Sequence, residues 1–434
     1  MTESRHQRQG TAAAMTQPVS RKNLAARYDR VRSRSCAIAA PLSAEDQAVQ
    51  SMADASPTKW HLAHTTWFFE TMVLAAFDTK YTVFDTAYRY LFNSYYESLG
   101  ARHPRPQRGL LTRPSCSEIE RYRVHVDSRM SVFIANAEGE TWQRAARLIE
   151  LGCNHEEQHQ ELILMDILHA LSCNPTWPSY HDTKPHAIRD ASSFCWIDFP
   201  GGDHEIGHNG DGFAYDNEAP CHTVRLNPYR IANRLITNGE WLKFMADDGY
   251  GRPELWLSDG WSCVADNSWT APQYWQCDNE GLWKVFTLSG LRTLDPEAPV
   301  SHVSFYEADA YARWARKRLP TAAEWETASK TVYLQGNFLE SIVLAPQSSA
   351  NAHSLTQMFG DLWEWTQSPY SPYPGFVPMA GAVGEYNGKF MINQIVMRGG
   401  SCATPVDHIR QTYRNFFYPH MRWQFGGVRL AEDI

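Results

Sequence analysis

Residues 141–172, TWQRAARLIELGCNHEEQHQELILMDILHALS, contain the pattern that decides how the first half of the chain is interpreted. The pattern is helical and predicts one unusually long helix over Thr141–Ser172. Within it, His155 and His159 are four residues apart, so their side chains lie one above the other on one helix face. Both imidazoles can therefore point at a single ion, which is half of a metal site.

The third ligand of such a site has to come from another element. The segment Trp60–Phe77 predicts a facing helix that offers His61 and His64. In a helical bundle, ligands project inward from facing helices, so one of these two histidines would complete the set with the two histidines of the long helix. We expect it to be His64, although this geometry leaves His61 open. Glu161 lies about 200° around the helix from His159, so it is poorly placed for the same ion. Three nitrogens without a thiolate suit zinc, iron or copper equally, and spacing leaves the metal open.

Glu156 follows the first histidine of the pair, as in the His-Glu-x-x-His zinc proteases. Such a protease needs a third ligand downstream and a strand that lines the substrate cleft. Neither pattern is present in this sequence, so a zinc protease is the weaker of the two interpretations.

The chain divides into four stretches of different character. Residues 1–23 predict a disordered tail and 24–175 a helical bundle with one long connection, residues 78–114. Residues 176–195 predict a linker, and 196–434 a domain of short strands separated by Gly, Pro, Asn and Asp clusters. The helix starts are expected at Asn23, Ser56 and Ser115, and strands at Trp196–Phe199, His222–Leu226 and Val300–Val303. The fold class is therefore α+β with two domains.

Composition excludes several classes of protein. The 434 residues are 43% apolar and 20% charged with a net charge of −8, which disfavours nucleic acid or an anionic membrane as a partner. No apolar run approaches about 18 residues and no signal-peptide pattern is present, so we expect a cytoplasmic protein. Nine cysteines without a Cys-x-x-Cys pair disfavour a zinc ribbon or a disulfide framework.

The long connection of the bundle contains a cationic stretch with aromatic residues before it. Arg102, Arg105 and Arg108 are interrupted by prolines, and arginine suits bidentate binding of a carboxylate. Tyr95 and Tyr96 lie just upstream. Each of these side chains also has an ordinary interpretation, as a solvated loop or a packing residue.

Sequence motifs in both halves of the chain resemble those of a known family. The run from Ser56 to Glu70, SPTKWHLAHTTWFFE, together with His155, His159 and Glu161, is similar to the iron-dependent sulfoxide synthases of ergothioneine biosynthesis. Segments of the second half resemble the formylglycine-generating, sulfatase-modifying domain, among them RLPTAAEWE (318–326), GDLWEWT (360–366) and RGGSC (398–402). The resemblance implies a DinB-like four-helix bundle followed by a C-type-lectin-like domain.

The family's chemistry implies a function. Its members use non-haem iron(II), held by three histidines, and dioxygen to join a thiol sulfur to imidazole C2 of hercynine as a sulfoxide. The implied iron ligands are His64, His155 and His159. The implied substrate-binding residues are Gln158 for hercynine, Arg105 and Arg108 for the thiol's carboxylate, and Asn415, Phe416 and Phe417 near the hercynine carboxylate and trimethylammonium.

The resemblance also bears on the thiol and on the proton donor. The family members that use γ-glutamylcysteine carry an acidic residue in the Asn-aromatic segment, and this chain has Phe417 there. We therefore expect L-cysteine as the thiol. Tyr95 and Tyr96 are the candidates for the catalytic proton donor, because they lie just upstream of the arginine loop.

Other functions remain open at this stage. A formylglycine-generating copper oxidase needs two nearby cysteines late in the domain, and only Cys402 lies beyond residue 277. The alternatives are the same reaction with γ-glutamylcysteine, an ovothiol-type synthase, a zinc-dependent thiol transferase of the DinB-like group and a lectin-like binding module. Sequence does not give the oligomeric state.

Overall fold

The computed structural model describes residues 20–181, 192–210, 212–349 and 354–434. Most of the predicted tail (1–19) and the middle of the predicted linker (182–191) lie outside these ranges, so the domain boundaries stay predictions. Within the described ranges, no helix combines the length and apolar character needed to cross a membrane.

The first domain is a bundle built mainly from four helices. Its described helices are α1 (Arg21–Ala39), α2 (Thr58–Phe69), α3 (Ala75–Phe77), α4 (Tyr88–Leu91), α5 (Cys116–Asn136) and α6 (Gly139–Ser172). A π-helical turn, Glu70–Leu74, joins α2 to α3, so the expected helix up to Phe77 is present in three segments. Ser115 and Glu118 form the capping box that begins α5, as predicted.

Two predicted helix starts are wrong. Helix α1 begins before residue 24, because Ser20 rather than Asn23 supplies the N-terminal cap. Helix α2 begins after Pro57 without a side-chain cap. The hydroxyl of Ser56 instead accepts a hydrogen bond from Arg108, 2.9 Å away in the arginine loop. A long-range partner has replaced the local one.

The second domain combines short helices with four small sheets. Its described helices are α7 (Asn238–Ala246), α8 (Ser258–Asn267), α9 (Phe305–Trp314) and α10 (Ala322–Ser329). Its strands are β1 (Trp196–Phe199), β2 (Gly202–Ile206), β3 (His222–Leu226), β4 (Tyr229–Ala232), β5 (Trp275–Cys277), β6 (Trp283–Thr287), β7 (Gly290–Thr293), β8 (Trp363–Pro369), β9 (Ile395–Arg398), β10 (Asn415–Phe417), β11 (Gly426–Gly427) and β12 (Ala431–Asp433). The sheets have the orders β1-β4-β12, β10-β9-β8-β11, β2-β3 and β5-β6-β7. This mixture confirms the predicted α+β class.

The segment Val300–Val303 was predicted as a strand and does not form one. The backbone N–H groups of Val300 and His302 donate to the carbonyl oxygens of Ile236 and Gly426, respectively, but His302 has a φ of 60°. A left-handed residue in the middle of the segment interrupts any continuous ladder of strand hydrogen bonds. Alternating apolar residues alone could not reveal this.

Helix α6 joins the two domains. The carboxylate of Glu161 accepts hydrogen bonds from the Trp363 indole at 2.8 Å and from the Ser401 and Thr404 hydroxyls at 2.6 Å each. All three donors belong to the second domain, and Glu161 is buried. The helix that carries the paired histidines is therefore also the surface on which the second domain rests, which places that domain beside the histidines.

Candidate metal centre and substrate cleft

Three histidines from two facing helices meet in the bundle core. One side-chain nitrogen from each of His64, His155 and His159 lies within 4.8 Å of the others, and all three residues are buried. His64 comes from α2, and the other two come from successive turns of α6. The structure thus brings together the three residues that the sequence predicts as metal ligands.

Hydrogen bonding fixes which nitrogen His64 offers. Its Nδ1 lies 2.6 Å from the carbonyl oxygen of Phe92, and a carbonyl can only accept. The proton therefore sits on Nδ1, and Nε2 keeps a free lone pair. This Nε2 lies 3.2 Å from Nε2 of His155. Nδ1 of His155 is buried and has no partner in the described part of the chain.

Burial keeps the cluster neutral. It lowers the pKa of His155 to about 4, and it lowers the pKa values of His64 and His159 well below the ordinary histidine value. Neighbouring histidines lower the last two further, because like charges would repel. Neutral imidazoles are the form that binds a metal ion, so the cluster is prepared for coordination near pH 7.

A buried carboxylate orients His159, the third histidine of the cluster, through His61. Oδ2 of Asp166 lies 3.0 Å from Nε2 of His61, and Nδ1 of His61 lies 2.8 Å from Nδ1 of His159. Since the carboxylate accepts, a neutral His61 donates from Nε2 and accepts at Nδ1. His159 then carries its proton on Nδ1 and offers Nε2. His61, the alternative candidate in the sequence, is thus a hydrogen-bond partner of His159 and not a member of the cluster.

We expect His61→Phe to weaken metal binding about 10- to 100-fold, because phenylalanine fills the space but cannot hold the tautomer of His159. Anaerobic metal titration against a competing chelator measures this. His61→Gln is the control, because its amide can accept from His159 and donate to Asp166. Equal weakening by both variants would contradict the orienting role.

Glu156 faces away from the histidines. Its two carboxylate oxygens lie 2.8 Å from Arg32 and 2.9 Å from Arg123. Burial alone would raise the pKa of Glu156, but the two guanidinium groups outweigh it and hold the pKa at about 2. A carboxylate that is paired with two guanidinium groups is a poor general base, and this removes the main support for a zinc protease.

A cleft of about 160 Å³ opens between α6 and the second domain. Six of the predicted site residues line it: Tyr95, Arg105, Gln158, Asn415, Phe416 and Phe417. A smaller adjoining cavity is lined by His155 and Tyr96. Gln158 lines both, so it stands between the cleft and the histidine cluster. Arg108 lines neither cavity.

The far side of the cleft is aromatic. The Phe416 ring stacks on Tyr370 with centroids 4.0 Å apart, and Phe390 follows at 6.1 Å from Phe416. Asn415, at the start of β10, accepts the backbone N–H of Phe416 at its Oδ1. An aromatic face beside an amide suits a quaternary ammonium group next to a polar group.

Two arginines near the cleft have no carboxylate partner within 4.0 Å in the described residues. Arg105 donates to the backbone oxygen of Asp54 and, at 3.3 Å, to the Tyr95 hydroxyl. Arg108 is buried over the Trp60 ring, 3.4 Å from its centroid, and Trp60 stacks on His64. Nε of each arginine is buried and forms no hydrogen bond with the residues that the structure describes. This is an electropositive region suited to an anion.

The two candidate tyrosines have different environments. Tyr95 lines the cleft, and its ring contacts Phe390 at 5.2 Å. Tyr96 is buried, stacks on Trp67 and lines the small cavity with His155. Burial raises the pKa of Tyr96 above the ordinary tyrosine value. The Tyr96 hydroxyl is therefore protonated near neutral pH.

Family comparisons agree with this architecture. Residues 27–163 match the DinB superfamily, and residues 183–344 and 335–434 match the sulfatase-modifying factor enzyme 1-like domain. The hercynine oxygenase of Mycolicibacterium smegmatis is 33% identical over 309 residues, which cover 65% of this chain and 70% of that protein. The chain belongs to the hercynine oxygenase family.

A second member of the family gives a shorter match. The hercynine oxygenase of Mycobacterium tuberculosis is 38% identical over 242 residues, so the match spans 50% of this chain and 56% of that relative. Among solved structures, PvdO from Pseudomonas aeruginosa aligns with a TM-score of 0.38 and 17% identity over 57% of this chain and 100% of its own.

Sequence reasoning missed several residues that shape the site. Asp166 is seven residues after His159, two helical turns along the same face, and this spacing was a usable signal. Trp423, which donates to Asp166 at 3.1 Å, and Tyr413, which bonds to Gln158, come from the distant second domain. No local pattern points to them.

Proposed function

We propose that the chain is a non-haem iron(II) enzyme that joins hercynine to L-cysteine with dioxygen, giving hercynylcysteine sulfoxide. The observation that carries the proposal is the buried three-histidine cluster beside a cleft with an aromatic wall, lined by an arginine, Arg105, that has no carboxylate partner in the described residues. The reaction is balanced. One oxygen atom ends on sulfur, and the other leaves as water with the C2 hydrogen and the thiol hydrogen.

The histidine cluster fits a divalent transition metal. His64 and His159 each have Nδ1 engaged as a donor, which leaves Nε2 for the metal, and His155 completes three neutral nitrogens. Bound iron(II) would supply dioxygen activation and open positions for both substrates. The nitrogen set alone suits zinc equally, so the choice of iron rests on the family.

The cleft offers hercynine matching groups. The stacked ring of Phe416 faces the trimethylammonium, which cannot donate hydrogen bonds and is best held by an aromatic face. The Nδ2 of Asn415 has no acceptor in the described chain and is available to the carboxylate. Gln158 stands between these groups and the histidines, where it meets the imidazole. Phe417 lines the same wall.

Charge supports cysteine as the thiol. Arg105 and Arg108 supply positive charge for its carboxylate. Glu161 is the one carboxylate among the described residues that line the cleft, and three donors already occupy it. Phe417 occupies the position of the acidic residue that would pair with the amino group of a γ-glutamyl substituent, so that acid is missing from the described lining. The charges near the cleft thus favour cysteine, which has no γ-glutamyl group to bind.

Arg105→Gln tests the thiol site. Loss of a charge-assisted contact is expected to raise the KM for cysteine about 10- to 100-fold, with hercynine binding unchanged. Arg102→Gln is the matched control, because Arg102 is exposed in the same loop and pairs with Glu97 on the surface. A parallel loss of hercynine affinity in the Arg105 variant would argue against a thiol-specific role.

Tyr95 and Tyr96 are the two candidates for the proton donor. Tyr95 lines the cleft and Tyr96 lines the small cavity, which supports either assignment. A proton delivered beside the histidine cluster is expected to favour formation of the sulfoxide over simple oxidation of the thiol. Tyr95→Phe and Tyr96→Phe are therefore to be assayed for the ratio of hercynylcysteine sulfoxide to oxidised cysteine; unchanged ratios in both would remove the proposal.

The function is tested with protein reconstituted anaerobically with ferrous iron. Hercynine and cysteine are added, air is admitted, dioxygen uptake is followed, and the product is identified by mass spectrometry and by the position of the new bond. Hercynylcysteine sulfoxide bonded at C2 supports the proposal. A bond at C5 would indicate an ovothiol-type synthase, and uptake only with γ-glutamylcysteine would overturn the choice of thiol. No uptake in iron-loaded protein would favour a zinc-dependent thiol transferase.

A further inference from the structure

A chain of buried and half-buried polar groups runs from Gln158 on α6 into the second domain and back to Glu157 on the same helix. Nε2 of Gln158 donates to the Tyr413 hydroxyl oxygen at 2.7 Å, and that hydroxyl lies 3.0 Å from Nε2 of His408. Nδ1 of His408 faces the Glu157 carboxylate at 3.7 Å. Arg27 lies 2.7 Å from Glu157 and forms an ion pair with its carboxylate.

The contact between His408 and Glu157 sets the order of donors and acceptors along this chain of groups. The charge on Glu157 favours the proton of His408 on Nδ1, the nitrogen that faces it. Burial lowers the pKa of His408, so the ring carries one proton and Nε2 accepts. The single hydrogen of the Tyr413 hydroxyl then goes to His408. Tyr413 must therefore accept from its other neighbour, Gln158.

This order decides which end of the Gln158 amide faces the substrates. The NH₂ group donates to Tyr413, and Oε1 accepts no hydrogen bond from the described part of the chain. Gln158 lines both the cleft and the small cavity, so its carbonyl oxygen is the group available to a ligand there. An imidazole that binds through one nitrogen keeps an N–H on the other, and that N–H needs an acceptor.

We propose that Tyr413 is a positioning residue that, with His408 and Glu157, holds the Gln158 amide so that Oε1 accepts the imidazole N–H of hercynine. The inference rests on the proposed function. With the opposite amide orientation, two donors would face each other and binding would lose this hydrogen bond. The second domain thereby sets the polarity of a side chain that belongs to the bundle.

A double-mutant cycle tests the proposal. Tyr413→Phe frees the amide to turn, and hercynine is expected to bind about 5- to 10-fold more weakly. Gln158→Glu presents an oxygen in either orientation, so adding Tyr413→Phe to it is expected to change nothing further. Binding is measured by calorimetry on metal-loaded protein without thiol and without dioxygen, which separates it from turnover.

Tyr229→Phe is the matched control. Tyr229 is a buried tyrosine of the same domain whose hydroxyl donates to the backbone oxygen of Glu324 at 2.8 Å, and it lines neither cavity. Its removal is expected to leave hercynine binding unchanged. The KM for cysteine is expected to stay the same in the Tyr413→Phe enzyme, since only the hercynine contact is altered.

Two outcomes would overturn the inference. An equal loss of affinity from Tyr413→Phe with Gln158 and with Glu at position 158 would show a purely structural role, as would an equal rise in the KM for cysteine. If Tyr413→Phe does not fold, His408→Phe enters the same cycle, since it removes the acceptor and keeps the hydroxyl. Failure of the wild-type protein to bind hercynine would instead contradict the proposed function, and the inference with it.

Discussion

Replacement of His155 by alanine is expected to abolish metal binding and, with it, the formation of any hercynine–thiol product. The residue supplies one of three buried nitrogens that lie within 4.8 Å of one another. Two nitrogens hold a divalent ion far more weakly, and we expect an affinity loss of at least about 100-fold. Metal analysis after dialysis and dioxygen uptake with both substrates measure the two effects separately.

A histidine elsewhere on α6 provides the control. His169 bonds to the Ser51 hydroxyl at 2.7 Å and takes no part in the cluster. His169→Gln is expected to keep full metal content and activity, while His64→Ala should reproduce the His155→Ala defect. One equivalent of tightly bound metal in the His155→Ala protein would contradict the assigned ligand set.

Glu156→Gln is expected to destabilise the bundle by about 3–5 kcal/mol, because it leaves two buried guanidinium groups without full compensation. Arg32 and Arg123 each bond to one oxygen of this carboxylate, and all three residues are buried. The melting temperature of the first cooperative transition is expected to fall by about 10 °C. Thermal unfolding followed by circular dichroism checks this.

The same ion cluster predicts a pH dependence. The pKa of Glu156 is about 2 in the folded protein, below the ordinary value of 4.5. Its stabilising contribution is therefore fully present above about pH 4.5 and is lost as the pH falls toward 2. The stability difference between wild type and Glu156→Gln should shrink over that window. Glu140→Gln, on the exposed first turn of α6, should match the wild type throughout.

Local patterns predicted much of the bundle. The capping box at Ser115 and the paired histidines of α6 depend on residues three or four apart, and the structure confirms both. The wrong predictions arose where a distant partner outweighed the local one. Ser56 bonds to Arg108 instead of capping α2, and the φ of His302 ends a segment that alternates like a strand.

The choice between His61 and His64 shows what residue spacing alone cannot predict. The two residues are separated by three positions, about 60° apart around the helix, so both can face the bundle interior. Rotation of α2 about its own axis, which packing against α5 and α6 sets, places His64 at the cluster. The same rotation places His61 between His159 and Asp166. Family resemblance supplied this choice in advance, but spacing could not.

The sequence by itself determined the two paired histidines, the helical and strand-rich halves and the family. These follow from helix periodicity and from short motifs, whose contacts lie within a few residues. Only the tertiary structure decided how the second domain completes the site. Glu161 is held by donors more than 200 residues away, and Gln158 meets Tyr413 across 255 residues. Such contacts depend on how two domains pack together, and no local periodicity encodes that packing.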